Sequence, residues 1–287
     1  MDRDRDATAR RAAEAFDVLG NEIRTAILLA LLADGPLTFS GLRDRVGVAD
    51  SGRFNYHLDR LTGQFVRKET GGYRLRYHGR RVAHAALAGT FTETTSFDPV
   101  SVEGACRACG ERALVGSYED EAIRIRCRAC DERVLAVSFP PSAVVGRSPS
   151  EAIQAFERWS RRQADLAREG ICPVCASRTE THLDPDPSLG DDLAPVARHD
   201  CGTCGWQNCT TVGSAVLDHP AVDRFAREHD LDPRSGPYWS NEYVVTNRHV
   251  TVESRDPWRV AVTVRADDAR LVLAVDETLA VVETTRP

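Results

Sequence analysis

The sequence predicts an α+β protein, and three observations predict it. Residues 36–77, PLTFSGLRDRVGVADSGRFNYHLDRLTGQFVRKETGGYRLRY, read as a helix, a tight turn, a second helix and a glycine-tipped hairpin. Four CxxC pairs then fall into two couples, with a capped helical stretch between them. The chain closes on segments where apolar and polar residues alternate, the period of strands with one buried face. Taken in order, these predict an N-terminal winged helix-turn-helix over residues 1–92 and a first ribbon-like unit over 101–145. Residues 146–287 then hold a helix, a second ribbon-like unit and a small antiparallel C-terminal sheet.

In the first region Ala12, Phe16 and Leu19 stand at i, i+4 and i+7, so residues 7–19 form a helix that Gly20 breaks. Asn21 caps the next helix, where Ile23, Ile27, Ala30 and Leu31 share a face until Asp34-Gly35-Pro36 ends it. A short helix from Phe39 to Val46 buries Leu42 and Val46, and Gly47 makes the turn. Asp50 or Ser51 caps the second helix of the motif, whose inner face is Phe54, Leu58 and Leu61. Residues 65–69 and 73–77, joined through Gly71-Gly72, make the hairpin, and residues 78–88 a closing helix.

At 100° per residue the three apolar positions of that second helix cluster near 0°, while Arg53, Tyr56, Asp59 and Arg60 fall between roughly 140° and 260°. Asn55 and His57 lie on the flanks. A set of Arg, Tyr, Asn and His opposite the core suits a recognition helix in the major groove. The charge agrees. Residues 51–90 carry eight Arg/Lys against Asp59 and Glu69, a balance of +6 inside a chain of net charge −6. A cationic segment in an acidic protein points to a polyanion, here double-stranded DNA. Base-side contacts are expected from Arg53, Asn55, Tyr56, His57 and Arg60, and phosphate contacts from Arg67, Lys68, Arg74 and Arg76, with Ser51 also in the DNA-binding set.

The cysteines carry the second signal. Cys106-Arg-Ala-Cys109 and Cys127-Arg-Ala-Cys130 are separated by 17 residues, the spacing of a zinc ribbon. Cys172-Pro-Val-Cys175 and Cys201-Gly-Thr-Cys204 repeat it at a spacing of 25, with the polar insert DPDPSLGDDLAP between them. Two structural zinc ions per chain are expected. Such sites are closed, and the metal replaces a core that so small a unit cannot build. An iron–sulfur cluster or a thiol redox pair is the alternative use of four thiolates. Cys209 is the ninth, odd cysteine. It reads as a small buried hydrophobe, although it and His199 lie near enough in sequence to exchange with a ligand of the second site.

Residues 113–117 and 121–126 read as ribbon strands. Ser148-Pro149-Ser150-Glu151 is a capping box with proline at the first helical position, followed by Ile153, Phe156 and Trp159 on one side. Asp218-His219-Pro220 opens another helix, with Val222, Phe225 and Ala226 inward and with His219 and His229 as cap or surface residues. Residues 258–264, 270–275 and 279–282 make the final sheet, turned at Asp267-Asp268.

Composition bounds the rest. The cations are 36 Arg and a single Lys, Lys68, against 25 Asp and 18 Glu. This Asp-heavy, nearly Lys-free balance resembles that of proteins from halophilic archaea; a GC-rich genome also favours Arg over Lys. The charged N-terminus has no signal-peptide core. The longest apolar run, residues 26–33, is far below the ~18 residues of a membrane span. A cytoplasmic protein is expected, and nine cysteines in a reducing compartment favour metal over disulfides.

Residues 9–89 resemble the ArsR-type winged helix-turn-helix family, through AFDVLGNEIRTAILLALL and through SGRFNYHLDRL, which is similar to the recognition helix of haloarchaeal members. The resemblance implies a transcriptional regulator that pairs as a homodimer through its terminal helices. Metal-sensing members carry cysteines where this chain has Thr38-Phe39-Ser40-Gly41, so the resemblance does not extend to arsenic or cadmium sensing. Residues from about 101 onward also resemble the C-terminal region of haloarchaeal regulators of this kind. The ribbons are then expected to serve oligomerisation, contact with a transcription-machinery protein or effector sensing. A protein-interaction adaptor whose winged helix has lost DNA binding is the competing expectation. An enzyme is not expected, since no Ser/His/Asp set or HExxH pattern occurs.

Overall fold

The structure, a computed structural model, describes residues 2–185 and 193–287, with side chains from residue 6. It is mixed α+β, with helices in the N-terminal region and several small antiparallel sheets. The insert expected as a polar loop falls mostly at 186–192, outside the described residues. The chain divides into two compact units, 1–93 and 94–287.

The first unit contains α1 (Asp2–Leu19), α2 (Glu22–Asp34), α3 (Phe39–Val46) and α4 (Ser51–Leu61). After these come a hairpin of β1 (Val66–Glu69) and β2 (Gly72–Leu75), then α5 (Tyr77–Leu87). The first helix starts at Asp2, five residues before the expected start at residue 7. Asn21 caps α2 by accepting from the N–H groups of Ile23 and Arg24. Gly47, at φ 77°, closes α3 in the left-handed region. Asp50, not Ser51, caps α4, accepting from Gly52 and Arg53. Tyr77 begins α5 rather than extending the hairpin. Ile27, Leu28, Leu42, Phe54, Leu58 and Leu61 form the centre of the core, with Phe65, Val66 and Leu75 of the hairpin region packed in. The hairpin is also tied back to the chain before α3, because Leu37 and Tyr73 exchange backbone hydrogen bonds of 3.2 and 2.8 Å.

The second unit begins with a four-stranded sheet in the order β3 (Phe97–Ser101), β4 (Leu114–Glu119), β5 (Ala122–Cys127), β6 (Arg133–Ser138). The expected two-stranded ribbon is thus widened by a strand on each side. Helix α6 (Pro149–Arg168) starts at Ser148 with the full reciprocal capping box. Its Ile153 and Phe156 pack against Leu114, Tyr118, Ile123 and Ile125 of the sheet. Trp159 is only partly covered, edge-on to Phe139. This shared core joins what the sequence divides at 145/146, so 94–287 is one unit.

A three-stranded sheet follows, β7 (Glu180–Asp184), β8 (Val196–Asp200) and β9 (Gln207–Thr211), then short helices α7 (Val212–Val216), α8 (Pro220–Glu228) and α9 (Glu242–Val245). His219 caps α8, accepting from Ala221, and Val222 and Phe225 are buried. The chain ends in the antiparallel sheet β10 (Val250–Arg255), β11 (Trp258–Ala266), β12 (Ala269–Asp276), β13 (Val281–Thr285), with Asp267 at φ 49° in its central turn. Val260, Val262, Val264, Leu271 and Leu273 line its inner face. Among the described residues no helix is long and apolar enough to cross a membrane.

Candidate metal centres and nucleic-acid interface

Each CxxC pair closes the same turn. The residue after the second cysteine donates its N–H to the carbonyl of the first: Gly110 to Cys106, Asp131 to Cys127, Ala176 to Cys172 and Gly205 to Cys201, at 2.8–3.0 Å. All four have positive φ, between 59° and 77°. Glycine marks two of these turns in the sequence. The other two put Asp131 and Ala176 in the same strained region, and sequence alone does not mark them. In every pair the first cysteine is buried and the second exposed.

The turns meet in couples. The sulfurs of Cys106, Cys109, Cys127 and Cys130 all lie within 4.8 Å of one another, as do those of Cys172, Cys175, Cys201 and Cys204. The Cys106–Cys130 and Cys109–Cys127 sulfurs are 3.7 Å apart, and the Cys172–Cys204 and Cys175–Cys201 sulfurs 3.6 Å. These are far longer than a disulfide bond. They match the edge of a tetrahedron, about 3.8 Å, built on metal–sulfur bonds of about 2.3 Å. Four sulfurs around one point suit a single ion, whereas an iron–sulfur cluster spreads its thiolates over several metal atoms. Each group can therefore hold one metal ion.

The thiols of the second group are unevenly poised for ionisation. The Ser177 hydroxyl and backbone N–H hold Cys175 as a thiolate, bringing its pKa to about 6. At Cys204 the Trp206 N–H favours ionisation, yet burial and the sulfurs of Cys175, Cys172 and Cys201 push the pKa up to about 12. Four thiolates this close ionise together only around a positive charge.

The two residues expected to compete as ligands lie elsewhere. His199 is fully buried, and its Nδ1 is 2.8 Å from the Thr181 hydroxyl and its Nε2 3.1 Å from that of Thr210. Both ring nitrogens are engaged, and burial pulls its pKa down to about 4. Cys209 sits half-buried on β9 opposite Arg198, outside the thiol group.

In the first unit the inner face of α4, Phe54, Leu58 and Leu61, is completely buried. Ser51, Arg53, Asn55, Tyr56 and Arg60 are exposed, Tyr56 to 58 %. His57 departs from expectation. It is only 7 % exposed, with Nδ1 3.4 Å from a guanidinium nitrogen of Arg24, and so does not belong to the outward set. Asn55 donates to Asp59 at 2.8 Å, and Arg60 to Asp17 at 2.9 Å.

On the hairpin, Arg67 and Arg74 stand opposite each other and share Glu69, at 2.8 and 3.4 Å. Lys68 lies over the Tyr73 ring, and Arg76 donates to the Gly63 carbonyl. All four cations are exposed. Exposed ion pairs of this kind are worth about 0–1 kcal/mol, so they hold these cations only weakly. Sequence reasoning missed Asp17 and Arg24, because both act across tens of residues from α1 and α2.

Residues 103–281 match the family described as Domain of unknown function (DUF7351), and residues 12–86 match Domain of unknown function (DUF7347). No curated protein and no solved structure matches the chain.

Proposed function

The chain belongs to the family described as Domain of unknown function (DUF7351), which spans more than half of it, and we propose that it is a DNA-binding transcription regulator of two units. In this reading residues 1–93 are a winged helix-turn-helix of ArsR-like type, with α3 and α4 as its two helices and β1–β2 as the wing. Helix α4 enters the major groove with Arg53, Asn55, Tyr56 and Arg60, near Ser51 at its N-terminus, while Arg67, Lys68, Arg74 and Arg76 take phosphates. The observation that carries the reading is the division of α4 itself: three apolar residues fully buried, and an Arg/Asn/Tyr/Arg face left in solvent inside a +6 segment.

Both thiol groups hold structural zinc, one ion each, and so stabilise the unit that contacts a partner or senses an effector. Phe16, Leu87 and Phe91, large apolar side chains left exposed by the first unit, support pairing as a homodimer. The compartment is the cytoplasm.

The test is selection of duplexes by the purified protein from a random pool, followed by binding of the recovered sequence. Wild-type protein is expected to enrich a sequence, and Arg53→Ala/Arg60→Ala to lose it. Failure to enrich any duplex, or retention of full binding by that variant, overturns the assignment in favour of an adaptor whose first unit contacts protein.

A further inference from the structure

One face of the β3–β6 sheet packs against α6, and on the other face Val115 of β4 is also buried. Ile123 and Ile125 of β5 pack with Phe156 of α6, so the alternating residues Arg124 and Arg126 stand on the opposite face. Antiparallel partners share a face, which places Arg124 beside Ser117 and Ala136, and Arg126 between the buried Val115 and Arg133. Arg128, just past β5, reaches toward β3, its guanidinium 3.4 Å from the Pro99 carbonyl. The cysteine-turn end of this sheet thus gathers four guanidiniums.

Three features mark that end as a surface for an anion. Arg126 and Arg133 are direct cross-strand partners, and like charges so placed destabilise a sheet unless something offsets them. Their neutralisation is weak. Asp120 is 3.2 Å from Arg124 and Asp131 3.6 Å from Arg126, both carboxylates largely in solvent, and the buried Arg124 Nε has no hydrogen-bond partner among the described residues. The neutral positions beside the arginines, Ser117, Val115 and Ala136, carry no long side chain, so an extended polyanion can approach closely.

We propose that this face grips the sugar-phosphate backbone of duplex DNA through Arg124, Arg126, Arg128 and Arg133, and that it adds this contact to that of α4 and the hairpin. Guanidinium suits phosphate because its planar fork bonds two oxygens at once. Single strands are bound by stacking bases on aromatic rings, and the outward positions of β5 with their partners carry none. The contact is independent of base sequence and raises affinity uniformly. The inference rests on the DNA-binding reading above.

The experiment uses the full chain with zinc bound and a mixed-sequence duplex of about 40 base pairs, titrated across a salt series. Arg126→Gln/Arg133→Gln is expected to lower the log–log salt slope by about two and to weaken binding roughly tenfold or more at the lowest salt. Arg128→Gln alone should lower the slope by about one, and zinc content should be unchanged in both. An unaltered slope in these variants, with Arg53→Ala/Arg60→Ala still impaired, overturns the sheet contact and leaves the DNA-binding reading standing. Wild-type protein that binds no duplex overturns both. Loss of binding confined to a single strand of the same length overturns the choice of duplex.

Discussion

Arg24 and His57, 33 residues apart, meet 3.4 Å apart beneath α4. Arg24 also donates to the backbone carbonyls of Val18 and of Asp17, the second at 2.9 Å, and so tethers the C-terminal end of α1. Its guanidinium is thus met by carbonyl dipoles at the C-terminal end of α1.

This arrangement makes the first unit acid-sensitive. Burial, then Arg24 and Arg53, hold the His57 pKa below its ordinary 6.5. The unfolded chain therefore binds a proton that the folded one refuses. Stability is fully present above about pH 6.5 and is lost as the pH falls below it. Chemical denaturation followed at pH 7.5 and 5.5 should show this loss, and His57→Leu should flatten it. An unchanged pH dependence in that variant would rule out His57 as the source.

The second unit holds a comparable device at His249. Among the described residues neither buried ring nitrogen has a hydrogen-bond partner, the ring lies 4.4 Å from that of Tyr243, and burial pulls the pKa down to about 4. Here too stability is present above about pH 6.5, and it falls between there and pH 4. His249→Leu, closer to imidazole in volume than a phenyl ring is, removes two unsatisfied polar atoms and is expected to stabilise by about 1–3 kcal/mol near pH 6, measured by urea denaturation.

Gly72 tests how the hairpin is held. At φ 151° a Cβ there would lie 2.3 Å from the Leu37 carbonyl oxygen. Gly72→Ala should separate the hairpin from Leu37 and cost about 2 kcal/mol or more. Hydrogen exchange should show Tyr73 N–H, which donates to Leu37, losing protection first. Equal protection in both proteins would mean that the hairpin is held by its apolar residues alone.

Metal analysis separates the thiol groups from their neighbours. Cys201→Ser should lower bound zinc by about one ion per chain, whereas Cys209→Ser should keep the full complement, since its sulfur lies outside both groups. Loss of metal in Cys209→Ser would redraw the second site.

Much of this was open to reading because the signals are local. The turn of a CxxC pair is set by four or five consecutive residues, so both thiol groups could be listed from spacing. The inner face of α4 follows from i, i+4, i+7 positions. Other elements depend on pairing with distant chain. Strand β3 contains Pro99, a residue that weakens any strand signal, and exists because β4 supplies its hydrogen bonds. Strand β6 was hidden for the same reason, as its partner β5 alone completes its ladder.

From sequence alone came the α+β class, the helix order of the first unit, the eight clustered thiols and the cationic segment, because periodicity, capping and turn chemistry act over a few residues. Only the tertiary structure decided that His57 turns inward to Arg24, that His199 serves Thr181 and Thr210 instead of a metal, and that Arg126 stands against Arg133. Each of these is a meeting of groups from separate elements. No local rule sets such a meeting; it is set by how the apolar faces bury one another.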